Sequence, residues 1–166
     1  MNRKTQTFVV AFAIMLTLTF VLSTAYGQKK ALRQQFNSSE NGNSIVGTWV
    51  AIVTMRNCET GAAIRSFPVM NTFNQGGTMM ESSRSLATRS PGMGMWERNI
   101  GNDYSSIFMF FRSNADGTDN GYQKVQRQHT LNNGILTTTA TFENFNAAGV
   151  LTSTGCATET ASRLTK

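Results

Sequence analysis

From Ser44 onward, turn-forming residues recur about every ten positions between short runs rich in Thr, Val, Ile, Phe and Met, the texture of an all-β sandwich or barrel. Eight strands are predicted: Ile45 to Arg56, Ala63 to Phe73, Thr78 to Ser83, Gly94 to Arg98, Ser105 to Arg112, Asn120 to Leu131, Ile135 to Phe145 and Val150 to about Leu164. Connections such as Asn114-Ala115-Asp116-Gly117 and Asn132-Asn133-Gly134 supply positive φ at little steric cost, which favours tight hairpins between antiparallel neighbours. A sheet built this way has two exposed edges unless it closes on itself. With eight strands, a closed interior just fits side chains or one small ligand. The expected fold of residues 44–166 is therefore an eight-stranded antiparallel up-and-down barrel.

The N-terminal end reads differently. Arg3 and Lys4 precede an apolar stretch from Phe8 to Leu22 that is broken only by threonines, and Ala25 and Gly27 set small side chains before a cut. That is the pattern of a secretory signal peptide over residues 1–27. The apolar core is shorter than the ~20 residues a spanning helix needs, and no later stretch is long and apolar enough to span, so no membrane span is expected after its removal. Residues 28–43 are polar and rich in Gln, Asn and Ser, the composition of a flexible leader. The expected destination is secreted or periplasmic.

Export changes the meaning of the charge and of the cysteines. The whole chain carries +6, but from Ser44 onward 10 basic residues face 8 acidic ones. No basic stripe marks the folded part, which argues against a nucleic-acid partner. Cys58 and Cys156 are the two cysteines, and an oxidising compartment favours one disulfide between them. The rival reading, two free thiols with one catalytic, is weakened because the lone His129 lies on a predicted strand with no flanking nucleophile.

Gly47-Thr48-Trp49 on the first strand and Arg163 on the last resemble the pattern of the lipocalin and wider calycin superfamily. Segments Val46 to Trp49, Cys58 to Gly61 and Gly155 to Thr158 also resemble small exported bacterial proteins that share a V-G-T-W opening strand. The calycin resemblance implies that Trp49 plugs the closed end of the barrel, that Arg163 packs across it, and that Gly47 allows close backbone approach. If Cys58 faces Cys156 across antiparallel first and last strands, Trp49 falls opposite about Thr165 and Arg163 opposite Ala51. The tryptophan and arginine are then diagonal neighbours.

With Trp49 pointing inward, Gly47, Ala51 and Val53 point inward too. Phe67, Val69, Asn71 and Phe73 share a face, as do Leu136, Thr138, Ala140 and Phe142. Ile107 to Phe111 is apolar on both faces, so the facing of Phe108 and Phe110 is open, as is that of Trp96. The candidate barrel lining is Trp49, Val53, Phe67, Val69, Asn71, Phe73, Trp96, Phe108, Phe110, Thr138 and Phe142. The same residues also suit a plain core. No catalytic constellation, metal-ligand spacing or cofactor motif stands out. The leading expectation is a non-enzymatic barrel that binds a small apolar or amphipathic ligand. The alternatives are a structural or interaction domain of the cell envelope with a filled core, and a barrel isomerase resembling allene oxide cyclase, for which Asn71 or Thr138 would supply the polar group.

Overall fold

Alternation of buried and exposed side chains along each strand decides the architecture. In the first strand Trp49, Ala51 and Val53 are buried while Val50 and Ile52 face out, as a pleated ribbon with one covered face requires. A computed structural model describes residues 44–84 and 88–165, so the expected signal peptide (1–27) and leader (28–43) lie outside the described residues. The elements are β1 (Gly47–Arg56), β2 (Ala63–Phe73), β3 (Thr78–Ser83), β4 (Gly92–Arg98), β5 (Asp103–Ser113), β6 (Asp119–Asn132), β7 (Ile135–Phe145) and β8 (Leu151–Arg163). Each strand pairs antiparallel with the next, and β1 pairs with β8, so the sheet is a closed up-and-down barrel. The expected fold class is what the structure has.

Strands β2, β3 and β7 match their predicted bounds. The turn between β6 and β7 shows why the hairpins were readable: Asn132 pairs with Ile135, and Asn133 and Gly134 between them hold φ of 50° and 77°, which suits a two-residue hairpin loop. The other five differ from their predicted bounds by one or two residues at an end, and at the starts of β1 and β4 the cause is visible. The ladder of β1 starts at Gly47 rather than Ile45, because Ile45 is turned inward and its carbonyl accepts the Trp49 indole N–H at 2.7 Å. β4 starts two residues early, because Gly92 pairs with Glu81 on β3.

Cys58 and Cys156 are bridged, with Cα atoms 5.3 Å apart. The register deduced from that pair needs correction. Trp49 lies directly opposite Arg163, and Ala51 opposite Ala161. Cys58 sits past the end of β1 in the turn after Arg56, so it reaches Cys156 from outside the ladder, in which Arg56 is the residue facing Cys156. The barrel is thus sewn along β1–β8 at both ends, by the disulfide at one and by Trp49 and Arg163 at the other.

The Trp49 end is closed. Ile45, Trp49, Phe73, Tyr104, Leu131 and Leu136 are all buried there. The Arg163 guanidinium lies 4.4 Å from the centre of the Trp49 ring and donates to the carbonyls of Ser44 and Val46. A Cβ at Gly47 would collide with that guanidinium. The other end, where β1 meets β2 and β7 meets β8 through turns, is more open.

Candidate functional site

Among the described residues, Glu81, Arg127 and Glu159 point into the barrel on strands whose alternation sends them there, and Arg89 joins them. Glu81 lies between inward Met79 and Ser83 on β3, Arg127 between Val125 and His129 on β6, and Glu159 between Ala157 and Ala161 on β8. The fourth, Arg89, comes from the connection between β3 and β4. Its backbone bridges to Arg112, and its guanidinium pairs with the Glu81 carboxylate while lying 3.4 Å from the centre of the Phe110 ring. Buried charges are costly unless paired and hydrogen-bonded, and the interior is arranged accordingly.

Arg127 is the hub. Its Nη1 donates to Asn71 Oδ1 at 2.9 Å, stands 3.4 Å from Glu159 Oε2, and its guanidinium lies 4.3 Å from the centre of the Phe108 ring. Asn71 in turn donates through Nδ2 to Glu159 Oε1 at 2.7 Å. Glu159 Oε2 is buried and accepts no hydrogen bond from the described residues, and it pairs with Arg127. Burial pushes the Glu159 carboxyl above its ordinary range; Arg127 opposes the shift and the Glu81 charge adds to it.

A second polar cluster lies beside the first. His129 Nε2 is 2.8 Å from Ser106 Oγ, and its Nδ1 is 2.8 Å from Thr138 Oγ1. His129 therefore has a hydroxyl at each ring nitrogen, brought from β5 and β7 rather than from flanking sequence. Burial, reinforced by Arg127, lowers the imidazole to about 3. An imidazole that weakly basic, backed by a hydroxyl rather than a carboxylate and packed edge-on against Phe73, is a poor general base. The arrangement satisfies the polar atoms of a core histidine.

Next to the charged cluster, toward the open end, is a cavity of about 50 Å³. Its walls are mostly apolar, with Phe67, Phe108, Phe110 and Phe142 prominent, and Glu81, Arg89, Arg127 and Glu159 add the polar part. Five of the candidate lining residues border it: Val53, Phe67, Phe108, Phe110 and Phe142. Trp49, Val69, Asn71, Phe73 and Thr138 are buried away from it, and Asn71 and Thr138 are occupied by the polar clusters. Trp96 is half-buried, donates to the Asn74 carbonyl and borders an open groove of about 580 Å³ instead. The facing left open by the sequence is decided: Phe108 and Phe110 are buried, while Met109 and Phe111 are exposed.

The sequence reading missed Glu81, Arg89, Arg127 and Glu159. The signal for three of them was present. Each holds an inward position of its strand, set by the parity of the residues two places away, where a solvated charge has no place. Arg89, on a long connection, had no such periodic signal. No protein-family model matches the chain, and neither a curated protein nor a solved structure matches it.

Proposed function

We propose that this chain is an exported, non-enzymatic barrel that holds a small amphipathic ligand at its open end. Glu159 Oε2 carries the reading: a buried carboxylate oxygen with no hydrogen bond, on the wall of a cavity. Buried polar atoms are nearly always hydrogen-bonded, and an oxygen on a cavity wall that has an ion pair but no hydrogen bond is suited to a donor brought by a bound molecule. The aromatic wall would take the apolar body of the ligand, and its head would carry an amine or hydroxyl donor. The Met1 to Gly27 pattern and the disulfide support export. The calycin resemblance of Gly47, Trp49 and Arg163 fits a carrier that uses the interior of its barrel.

The size of the cavity favours a second reading, a filled structural or interaction domain. About 50 Å³ holds a few waters or a small head group, and a larger ligand would have to displace Arg89 from the mouth. Native mass spectrometry of the protein purified from its own host separates the two. The binding reading expects a reproducible small adduct that is missing from an Ala140→Leu variant, since Ala140 borders the cavity opposite Arg127 and a leucine there fills it. Spectra of both proteins showing bare chain alone would overturn it in favour of the filled domain.

A further inference from the structure

Arg89 differs from the other charged residues of the cavity wall in coming from a connection rather than a strand. That connection is tied to the end of β5: the Ser113 N–H donates to the Thr88 carbonyl at 3.0 Å, and the Ser90 N–H to the Phe111 carbonyl at 2.9 Å. The backbone is therefore pinned, and the side chain alone reaches across the mouth. It is 13% exposed, against 1%, 5% and 2% for the side chains of Glu81, Arg127 and Glu159, so it is the member of the cluster that solvent reaches. The place its guanidinium takes is built for a cation. Glu81 supplies a buried carboxylate, and Phe110 a ring whose centre lies 3.4 Å from the guanidinium carbon; a ring face attracts a cation most where water is excluded. The pattern repeats next to it, where Arg127 lies between Glu159 and the Phe108 ring. Burial lowers the Arg89 guanidinium from its ordinary value, with Glu81 opposing the shift and Arg127 adding to it. Carboxylate and ring thus hold this cation against its desolvation.

We propose that Arg89 is the built-in occupant of a site for an organic monocation. The amphipathic ligand is then an alkyl or aryl ammonium or guanidinium that takes its place on Glu81 and Phe110, a step that rests on the barrel binding at its open end. When Arg89 swings out, Glu81 loses its counter-charge, because Arg127 is engaged by Asn71 and Glu159. An unmatched buried charge is strongly unfavourable. A neutral or anionic ligand that displaced Arg89 would carry that cost, whereas a cation restores the pair. Displacement also adds the space of the arginine side chain to the cavity of about 50 Å³, which lifts the limit on ligand size. Glu159 Oε2, buried on the same wall and accepting no hydrogen bond from the described residues, offers the incoming head a second acceptor.

Titration of the 15N-labelled protein with n-hexylguanidinium, hexan-1-ol and hexanoate tests the site, with affinities read from the amide shifts of Glu81, Arg89 and Phe110. The cation should bind the parent at least about tenfold more tightly than the alcohol, the margin between a charge-assisted and a neutral hydrogen bond. Hexanoate should leave those amides unmoved. Arg89→Ala removes the competing occupant, so its affinity for hexylguanidinium should rise by a further factor of about ten or more, and that for hexan-1-ol by less. A Glu81→Gln/Arg89→Ala variant, which removes both charges of the pair, should bind cation and alcohol alike. Equal affinity for cation and alcohol in both parent and Arg89→Ala, or a preference for hexanoate, overturns the cation site while leaving the barrel a binder of some other amphiphile. No saturable shift with any of the three compounds, in parent and Arg89→Ala alike, overturns the binding function along with it. Should Arg89→Ala fail to fold, parent and double variant still decide, since the preference for the cation must be present in the first and gone from the second.

Discussion

Arg127 faces two groups whose protonation it controls in the same direction. Its charge holds the buried Glu159 carboxyl below where burial alone would put it, and it pushes the His129 imidazole further down. Replacing it with methionine should therefore raise both. Glu159, already above its unfolded value, then favours the protonated folded state more strongly. Stability from a raised carboxyl is present at low pH and lost as pH rises through the folded value. His129 behaves oppositely in the parent. Its folded value near 3 lies below the ordinary imidazole value of 6.5, so it costs stability as pH falls through that window, by up to about 1.4 kcal/mol per pH unit; that cost shrinks when Arg127 is gone. Both effects make Arg127→Met least harmful in acid. At neutral pH it leaves Glu159 without a counter-charge, which costs about 3–5 kcal/mol. Urea unfolding of parent and variant at pH 7.5 and pH 4.5 should show the deficit narrowing in acid; a deficit equal at both would mean that neither group is coupled to Arg127. These residues also mark where the sequence was readable. Trp49, Asn71 and Thr138 were placed on inward faces because neighbours two positions away share their facing. The same rule reaches Glu81, Arg127 and Glu159, yet charged residues look like solvated surface until a strand's parity is taken ahead of its chemistry.

At the level of the strand, β4 shows how an irregular composition serves packing. Its sequence alternates Gly92 and Gly94 with Met93 and Met95, and the glycines take the inward positions. With no side chains there, β5 leans over β4: a Cβ at Gly94 would strike the Ile107 carbonyl oxygen and stand 2.6 Å from Phe108 Cα. The space is used by Phe108, which carries the Arg127 guanidinium on its ring. Gly94→Ala meets backbone, which cannot rotate aside, and should destabilise by about 1–3 kcal/mol or more as overpacking does. Met95→Thr, on the exposed face of the same strand, should stay within about 0.5 kcal/mol. Equal urea midpoints for the two variants would refute the close approach. The prediction of β4 from sequence started at Gly94 because Ser90-Pro91-Gly92 reads as part of the connection before it, and the two missing residues are held by pairing with Glu81 and Met80 on β3. The facing of Phe108 and Phe110 was unreadable for a related reason. Ile107 to Phe111 is apolar throughout, so alternation carries no contrast, and the outer face of β5 stays apolar at Met109 and Phe111.

Across the whole molecule, closure depends on one seam, β1 against β8, held differently at its two ends. At the closed end Trp49 and Arg163 face each other in the ladder, and Arg163 also binds the backbone before β1. At the open end the disulfide spans 98 residues of sequence, a loop for which the chain-entropy model gives at most about 4.7 kcal/mol. Against the 5–15 kcal/mol typical of a domain this is a large share. A Cys58→Ala/Cys156→Ala variant should keep the barrel, because the ladder from Trp49 to Arg56 does not need the bridge, but it should unfold at lower urea concentration. Its m-value should rise, since an unfolded chain without the cross-link exposes more surface. The loss should also be local. Arg56 lies opposite Cys156 and Val53 opposite Glu159, so amide exchange should quicken most for residues 53–56 and 156–159, while Trp49 to Ala51 remain protected by the Arg163 end. Quickening spread evenly along β1 would mean that the seam opens as a unit. The localised result would make the disulfide the element that holds the cavity wall at Val53 and Glu159 in place, and would tie the cavity's shape to the oxidation of Cys58 and Cys156.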